Sequence, residues 1–159
     1  MHNGRYGGYG GYGGYLYLLQ QVTAVKDNPR RGLSLFWHMS LNDRNTATMD
    51  YQSQIGAIYK GPFASRPRDF VGLGFSKMHI NGSVAKRYRL LNEGKGIEDD
   101  TNPAYSPVRS AEYVTELNHN VAITPWFTLR PNVQLLAHPG GAENVKDAWV
   151  FSTQVMLRF

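Results

Sequence analysis

The side chains of this sequence that could do chemistry are amides and ions recurring at every second position of three segments. Six of them, which we call the polar set, would carry a binding function: Glu116, Asn118, Arg130, Asn132, Gln134 and Gln154. At this spacing they lie on one face of a strand, where they donate and accept hydrogen bonds. They can replace the hydration water of a polar solute without forming a covalent bond. Arg158 has the same parity, but it lies too near the end of its segment to select a solute.

Catalytic and metal-binding constellations have no support in the sequence. The chain has no cysteine, which excludes disulfides and zinc–thiolate sites. The carboxylates of Glu98, Asp99 and Asp100 do not alternate around a glycine as those of a calcium loop do. The histidines share no ligand spacing; they are His2, His38, His79, His119 and His138. No nucleophile elbow, phosphate loop or dinucleotide fingerprint is present. We therefore expect no catalytic residue, no cofactor, no metal and no enzymatic activity.

The net charge of +5 raises the question of an anionic partner. The basic residues are dispersed along the chain, apart from Arg30 with Arg31 and the run KRYR that begins at Lys86. A nucleic-acid footprint needs a concentrated basic face. We therefore interpret these charges as solvated or pore-lining groups and expect no nucleic-acid partner.

The elements that must position the polar set are strands, because apolar and polar residues alternate with a period of two. Seven segments follow this pattern: residues 15–26, 32–41, 47–60, 69–78, 111–123, 127–138 and 147–159. Turn-forming residues separate them, with one long segment over residues 79–110 that we expect to be a solvated loop. No segment has a convincing helical period. The sequence predicts an all-β, antiparallel fold.

The two faces of these strands differ in a way that indicates a membrane. The apolar parity of the last six strands, followed in the fourth strand through Val71, Leu73 and Phe75, contains no Lys, Arg, Asp or Glu. The opposite parity is rich in uncharged amides and hydroxyls, as in a wet lumen, whereas a soluble sheet would accumulate Lys and Glu. Trp149 and Phe159 mark the two ends of the last apolar face, where girdle aromatics anchor a strand at the membrane interfaces. The parity of the first strand is undecided.

The beginning of the chain has a character of its own. Residues 1–14 form a lead-in with a Gly-Gly-Tyr repeat, which we interpret as an approach to the first strand rather than as a low-complexity binding arm. Its start, MHNGRYGGYGG, lacks the apolar core of a secretory signal. The longest apolar run, YLYLL, is far shorter than the roughly 18 residues of a membrane helix. Spanning by helices is therefore excluded.

Toward its C-terminus the sequence resembles the carbohydrate-selective porin family (OprB type) of bacterial outer membranes. The resemblance rests on the run ITPWFTLRPNVQLLAHPGG and on the closing strand DAWVFSTQVMLRF with its final Phe159. Upstream, RGLSLFWHMS and RPRDFVGLGFS are similar to two further strands of that family. Together these matches cover most of residues 15–159.

The resemblance implies a transmembrane β-barrel of about sixteen strands, of which residues 15–159 supply the last seven. It implies location in the bacterial outer membrane, contact with its lipid, and passive diffusion of sugars past the polar set. It also implies that Phe159 belongs to the signal read by the outer-membrane assembly machinery. The TPW turn would be periplasmic and residues 79–110 external. Pro131 falls within a strand of this family, and we expect a local bulge there because proline forfeits a ladder hydrogen bond.

An odd number of strands cannot close an antiparallel barrel, which leaves several alternatives open. A truncated gene product ranks first. The second alternative is a small barrel of eight strands, closed through residues 4–14, with a structural or adhesive role. Pairing of the open edge with another chain, or an oligomer, also stays open. A soluble β-sandwich that binds glycans through its tyrosines is the third. The preferred sugar cannot be read from the sequence.

Overall fold

The structure is a computed structural model that describes residues 11–159, and nearly all of its regular structure is β-sheet. The strands are β1 Gly13–Gln21, β2 Gly32–Asn42, β3 Met49–Lys60, β4 Phe70–Ile80, β5 Ala111–Ala122, β6 Phe127–Ala137 and β7 Ala148–Leu157. One α-helix, α1 Gly82–Lys95, and one short 3-10 helix, Pro139–Gly141, complete the elements. The strands form one antiparallel sheet in the order of the chain. We call its two ends the helix end, which carries α1, and the turn end.

All seven predicted strands are confirmed, with boundaries that shift by a few residues. The largest shift is in β1, which ends at Gln21 instead of residue 26. After Gln21 the N–H groups of Val22 and Thr23 both reach the carbonyl of Leu33, and a tight turn then bridges Val25 to Asn28. Of the predicted lead-in, residues 1–10 lie outside the described residues, and β1 already begins at Gly13.

The prediction that the chain contains no helix is wrong, because α1 occupies part of the segment expected to be a solvated loop. Asn81 caps its start by accepting the N–H of Ser83 at Oδ1, over 3.0 Å. Gly96 ends it in the left-handed conformation at φ +67°, which a glycine adopts without strain. Within the helix only Asn92 is buried, and its side chain exchanges two hydrogen bonds with the backbone of Ser106. The helix is therefore held by polar contacts rather than by an apolar stripe.

The register places the apolar residues of neighbouring strands in rows on one face. Ile55, Phe75 and Thr115 lie opposite one another on β3, β4 and β5, and the same row continues to Leu135 and Trp149. In β1, Leu16 and Leu18 lie opposite Met39 and Trp37, which settles its parity. We call this the apolar face and the reverse the polar face.

The apolar face is uncovered. Leu117 and Leu157 are each 48% exposed, and within residues 11–159 the buried hydrophobic residues are Ala111 and Ala142. No second sheet packs on the first in this part of the chain. The alternative of a soluble β-sandwich is therefore wrong, since a sandwich buries one face of each sheet.

The apolar face is not free of charge, contrary to the prediction. β4 runs to Ile80, two residues beyond the predicted end, and Lys77 lies on the same face as Leu73 and Phe75, opposite Tyr113. The predicted apolar face of this strand ends at Phe75 and therefore does not include Lys77. Among the strand positions of this face, Lys77 is the single Lys, Arg, Asp or Glu.

The predicted bulge at Pro131 is also wrong. Asn118 lies opposite Asn132 and Val121 lies opposite Leu129, so the register is the same on both sides of Pro131. The ladder between β5 and β6 lacks the pairs at Arg130 and Pro131. On the other side, Pro131 stays opposite Thr153 on β7. The missing N–H thus costs local pairing without inserting a residue.

A shift of register does occur elsewhere, at the start of β3. Met49 lies opposite Ile80 and Tyr51 lies opposite His79, which leaves Asp50 as an extra residue. The bulge moves Met49 onto the polar face and aims the Asp50 carboxylate at Nδ1 of His79, 2.6 Å away. Asp50 also forms an ion pair with Arg44 at 3.4 Å. Bulges re-aim side chains in this manner.

The sheet is open, since β1 and β7 form its two edges in residues 11–159. Both strands run in the same direction, because six antiparallel steps separate them. The second alternative, closure through residues 4–14, concerns residues that mostly lie outside the described range. In that range no helix is long and apolar enough to cross a membrane.

Candidate functional site

The polar set lies on three adjacent strands, on the polar face of the sheet. Glu116 lies opposite Gln134, and Asn118 lies opposite Asn132. Arg130 lies opposite Gln154 on β7. The six side chains therefore form consecutive rows across β5, β6 and β7. Gln154 is exposed, whereas the other five are half-buried.

Glu116 is the centre of the hydrogen bonds in this site. Nε2 of Gln134 donates to its Oε2 over 2.7 Å, and Nδ2 of Asn118 donates to its Oε1 over 2.9 Å. Both carboxylate oxygens are thus held by amides. In the described residues, Oδ1 of Asn118 is buried without a donor. The cluster therefore contains a fixed anion and an acceptor that is not used within the sheet.

Arg130 forms the second half of the site, nearer the turn end. Its Nη2 and Nε lie 3.3 Å and 3.4 Å from Oδ1 of Asn120, and its guanidinium lies 5.1 Å from the centre of the Phe70 ring. Stacking on an aromatic ring fixes a guanidinium while leaving its in-plane N–H groups available. Arg130 therefore presents a positive, oriented fork to the polar face.

Three residues of this site were absent from the polar set. Asn120 holds Arg130, Ser152 donates to Oδ1 of Asn132 over 3.0 Å, and Phe70 supports the guanidinium. The strand parity contained the signal for Asn120 and Ser152, since both have the parity of the polar set. Phe70 had no such signal, because an aromatic residue at a polar-face position does not indicate what it contacts.

Glycines shape the floor of the polar face on β3 and β4. A Cβ on Gly72 would come within 3.0 Å of the Asn118 side chain, and a Cβ on Gly56 within 2.5 Å of both the Phe36 ring and the carbonyl of Leu73. The Phe36 ring therefore packs against Gly56, and the Asn118 amide lies against Gly72. Any larger residue at these two positions would push into the polar face.

At the turn end the polar face opens into a recess of about 710 Å³. Four basic residues line it: Arg30, Lys60, Arg68 and Arg158. Asn120 and Thr128 add polar groups, and the single carboxylate of the lining, Asp69, is already paired with Arg66. The recess is therefore positively charged. Arg158, which the sequence placed at the rim, lies here rather than beside the polar set.

Asp69 ties the turn end together. It is 1% exposed, accepts Nε of Arg66 at 2.5 Å on Oδ2, and accepts the N–H of Ala122 at 2.9 Å on Oδ1. Burial by itself would raise the pKa of Asp69, but the hydrogen bonds from Arg66 and Ala122 and the charges of Arg66 and His119 hold the pKa below its ordinary value. The same hydrogen bond to Asp69 raises the pKa of Arg66.

A second contact joins the turns along this end. Arg31 donates from Nη2 and Nε to the carbonyl of Gly61, at 2.8 Å and 3.1 Å. Gly61 in turn donates its N–H to the carbonyl of Asp69 at 2.7 Å. Together with the hydrogen bond from Ala122 to Asp69, these contacts link the turns that follow β1, β3 and β5. Arg66, the first residue of the run RPRDFVGLGFS, joins these contacts through Asp69.

The two aromatic residues of the closing strand lie at its opposite ends. Trp149 follows the first residue of β7 at the helix end and is 63% exposed. Phe159 lies two residues beyond the last residue of β7 at the turn end and is fully exposed. Both have the sequence parity of the apolar face. Across the whole of residues 11–159, His, Asp and Glu side chains form no group of three or more that could hold a metal ion.

Comparisons with known proteins agree on one family. A family model described as carbohydrate-selective porin, OprB family, matches residues 2–159. Porin B of Pseudomonas aeruginosa is 43% identical over 140 residues, covering 88% of this chain and 31% of that protein. A putative porin, QuiX, of Acinetobacter baylyi is 37% identical over 142 residues, covering 88% of this chain and 32% of that protein.

A solved structure agrees in fold. The high-pH structure of OprB from Pseudomonas putida superimposes with a TM-score of 0.86 at 39% identity, covering 90% of this chain and 34% of that one. The chain thus spans about a third of the length of the relatives that it matches.

Proposed function

The chain belongs to the carbohydrate-selective porin, OprB, family, and from this premise we propose that its seven strands form one section of the wall of a pore through which sugars diffuse passively. Members of this family are porins of the bacterial outer membrane, so the strands, not the helix, span the bilayer. The apolar face then contacts outer-membrane lipid and the polar face lines the lumen. The observation that carries the proposal is the hydrogen-bonded cluster around Glu116 on the reverse of an uncovered apolar face.

The separation of the faces supports this orientation. The apolar face exposes large aliphatic and aromatic side chains, among them Leu117, Phe151 at 77% and Val155 at 58%. Exposure of this extent in water would promote association, whereas in a bilayer it is the expected state of a strand. The polar face carries the amides, whose N–H and C=O groups would find no hydrogen-bond partner in hydrocarbon.

The chemistry that we propose is exchange of hydrogen bonds. A sugar hydroxyl both donates and accepts, so it can accept from the amides of Asn132 or Gln134 and donate to the carboxylate of Glu116 as it sheds water. Arg130 offers further N–H donors in a fixed plane. No bond in the sugar is broken in this process. The proposal therefore assigns the chain transport and no enzymatic step.

The basic recess at the turn end would act on solutes after they have passed the polar set. Positive charge that lines a confined region raises the local concentration of anionic solutes. Arg158 contributes to this field at the rim, where water surrounds it, and we assign it no selectivity.

The topology that we propose follows from the family resemblance. The turn end faces the periplasm. The helix end, which carries α1, faces outward. This agrees with outer-membrane barrels in general, which have short periplasmic turns and longer external loops. Residues 15–159 would form the barrel section and residues 1–14 its lead-in. The two open edges would pair with further strands.

We also propose that Phe159 is read by the outer-membrane assembly machinery and that Trp149 anchors β7 at the opposite interface. Their positions support this: both have the parity of the apolar face, and β7 separates them. Aromatic side chains are favoured at the boundary between hydrocarbon and water.

The test is a hybrid channel. The residues of this chain replace the matching 140-residue segment of Porin B from P. aeruginosa, and the hybrid is reconstituted into liposomes whose swelling is followed in isosmotic sugar solutions. We expect swelling in monosaccharides at a rate comparable with that of Porin B itself. A folded hybrid that conducts small ions and excludes monosaccharides would contradict the proposal.

A further inference from the structure

Among the seven strands of residues 11–159, Lys77 is the one charged side chain on the apolar face, the face that the proposed function places against lipid. Along β4 it comes three residues before Ile80, near the helix end. It lies opposite Ser53 on β3 and Tyr113 on β5. A lysine on the lipid face of a barrel is costly at mid-membrane and tolerated near the interface, where its amine can reach the head groups.

Two tyrosines hold the Lys77 amine. Its Nζ lies 5.6 Å from the ring centre of Tyr51 and 5.7 Å from that of Tyr113. Contact with aromatic faces positions an ammonium without neutralising it. In residues 11–159 no carboxylate forms an ion pair with Lys77. The amine therefore retains its charge and N–H donors for a ligand.

The surroundings make this arrangement rigid. The Tyr51 ring stacks on His79 with centres 4.8 Å apart and planes 9° apart. The Tyr113 ring contacts Phe75 at 6.1 Å and His138 at 6.0 Å. Asp50, which precedes Tyr51, is paired with His79 and Arg44 and not with Lys77.

An apolar groove begins directly beside this cation. The row below Ser53, Lys77 and Tyr113 consists of Ile55, Phe75 and Thr115. These three residues, with Leu35 and Leu73, line a groove of about 430 Å³ on the same face. A positive group at the interface and an apolar groove running from it toward the membrane centre together match a lipid: an anionic head group joined to an acyl chain.

We propose that Lys77, Tyr51 and Tyr113 bind the phosphate of an anionic membrane lipid, one of whose acyl chains lies in the groove lined by Ile55 and Phe75. The site is on the outside of the proposed wall and concerns membrane contact, not sugar passage. It depends on the membrane location of the family. Its failure would therefore leave the proposed pore function untouched, and liposome swelling of the hybrid channel reports on that function separately.

The experiment uses the full 159-residue chain, refolded in a non-ionic detergent, with lipid retention measured by native mass spectrometry. Phosphatidylglycerol is compared with a galactosyl diacylglycerol of the same acyl chains, which lacks phosphate. We expect the native chain to retain phosphatidylglycerol preferentially. Lys77→Met should weaken this retention roughly fivefold, the effect of one basic residue at an anionic membrane surface, and Lys77→Arg should preserve it.

Two further variants separate the parts of the site. Lys60→Met removes the same charge from the polar face at the other end of the sheet and should retain lipid as the native chain does. Ile55→Trp narrows the groove without touching the amine and should also weaken retention. Circular dichroism of each variant checks that the β-sheet is formed.

Three results would overturn the assignment. One is equal retention of the galactolipid and phosphatidylglycerol by the native chain. Another is an equal loss in Lys60→Met and Lys77→Met, since the effect would then be general charge. The third is displacement of the lipid by an equimolar amount of inorganic phosphate, which would indicate a site for a free anion and not for a lipid.

Discussion

Gln134 on β6 donates a hydrogen bond of 2.7 Å from Nε2 to Oε2 of Glu116 on β5, directly across the strand pair. Asn118 holds the other carboxylate oxygen, so the charge of Glu116 is fixed in position on the polar face. Arg130 places the opposite charge two rows nearer the turn end, on its Phe70 support. A solute that moves along this face passes a fixed anion and then a fixed cation, and this order leads to a prediction about ion selectivity.

Glu116→Gln should shift the selectivity of the hybrid channel toward anions, because it removes the carboxylate and keeps the shape of the side chain. Arg130→Gln should shift the selectivity toward cations. We expect each change to alter the cation-to-anion permeability ratio roughly twofold, as single charges in a confined lumen do. Reversal potentials in a salt gradient measure both.

Glu93→Gln on α1 serves as the control, because it removes the same charge from an exposed helix position off the strands, and it should leave the ratio unchanged. If Glu116→Gln and Arg130→Gln move the reversal potential in the same direction, the two residues do not line the same pore.

Gly56→Ala should destabilise the sheet, whereas Gly74→Ala on the neighbouring strand should be tolerated. The two glycines lie opposite each other. A Cβ on Gly56 would meet the Leu73 carbonyl and the Phe36 ring at 2.5 Å, but a Cβ on Gly74 would meet its nearest neighbours at 3.8 Å. Overpacking against backbone costs about 1–3 kcal/mol. Thermal melting in detergent should therefore separate the two variants, and equal melting temperatures would contradict the proposed floor.

Asp69→Asn should lower the stability of the native sheet in a manner that depends on pH. The pKa of Asp69 is lowered in the folded chain. Its stabilising contribution is therefore complete above the unfolded value of about 4 and is lost as the pH falls through the lower folded value. At pH 7 we expect a loss of about 2 kcal/mol, the range for hydrogen bonds to a charged group.

Thermal melting at neutral and at strongly acidic pH measures the gap, which is the difference in melting temperature between the native chain and Asp69→Asn. The gap should shrink in acid, because the native carboxyl is then neutral as well. Asp99→Asn is the matched control: the pKa of Asp99 is also lowered, by hydrogen bonds from Thr101, but this carboxylate lies on an exposed loop. A gap for Asp69→Asn that stays constant with pH would show that the charge does not contribute.

Phe159→Ala should reduce the amount of folded protein in the outer membrane when the hybrid channel is produced in cells, while refolding of the purified protein in detergent stays unchanged. Phe159 lies beyond β7 and is fully exposed, so its loss removes no packing. Trp149→Ala serves as the aromatic control at the other end. The proposed recognition is contradicted if both variants accumulate equally, or if Phe159→Ala also fails to refold after purification.

The strands could be predicted because the alternation of apolar and polar residues shows which face of the sheet each residue occupies. In a membrane strand this alternation is unusually clear. Glu116, Asn118 and Gln134 came together for the same reason: equal parity on neighbouring strands puts side chains in adjacent rows. Contacts across the sheet could not be predicted, because the register depends on turn geometry. The support of Arg130 by Phe70 and the bulge at Asp50 are both consequences of register.

The helix α1 was missed because its exposed sequence has almost no apolar period. It carries terminal signals instead: Asn81 before its first residue and Lys95 with Gly96 at its end, all of which favour helix boundaries. Lys77 was missed for a different reason, since the predicted apolar face was followed only to Phe75. A polar residue at the end of an apolar row is informative, because the interface is where a membrane strand tolerates it.

The direction of the outermost strands limits how copies of this molecule can associate. β1 and β7 point the same way, so any two molecules inserted in the bilayer with equal sidedness would meet edge to edge with parallel strands, whichever edges they use. Rings or filaments of identical units therefore cannot continue the antiparallel hydrogen-bond pattern. Antiparallel pairing at either edge requires a segment that runs in the reverse direction.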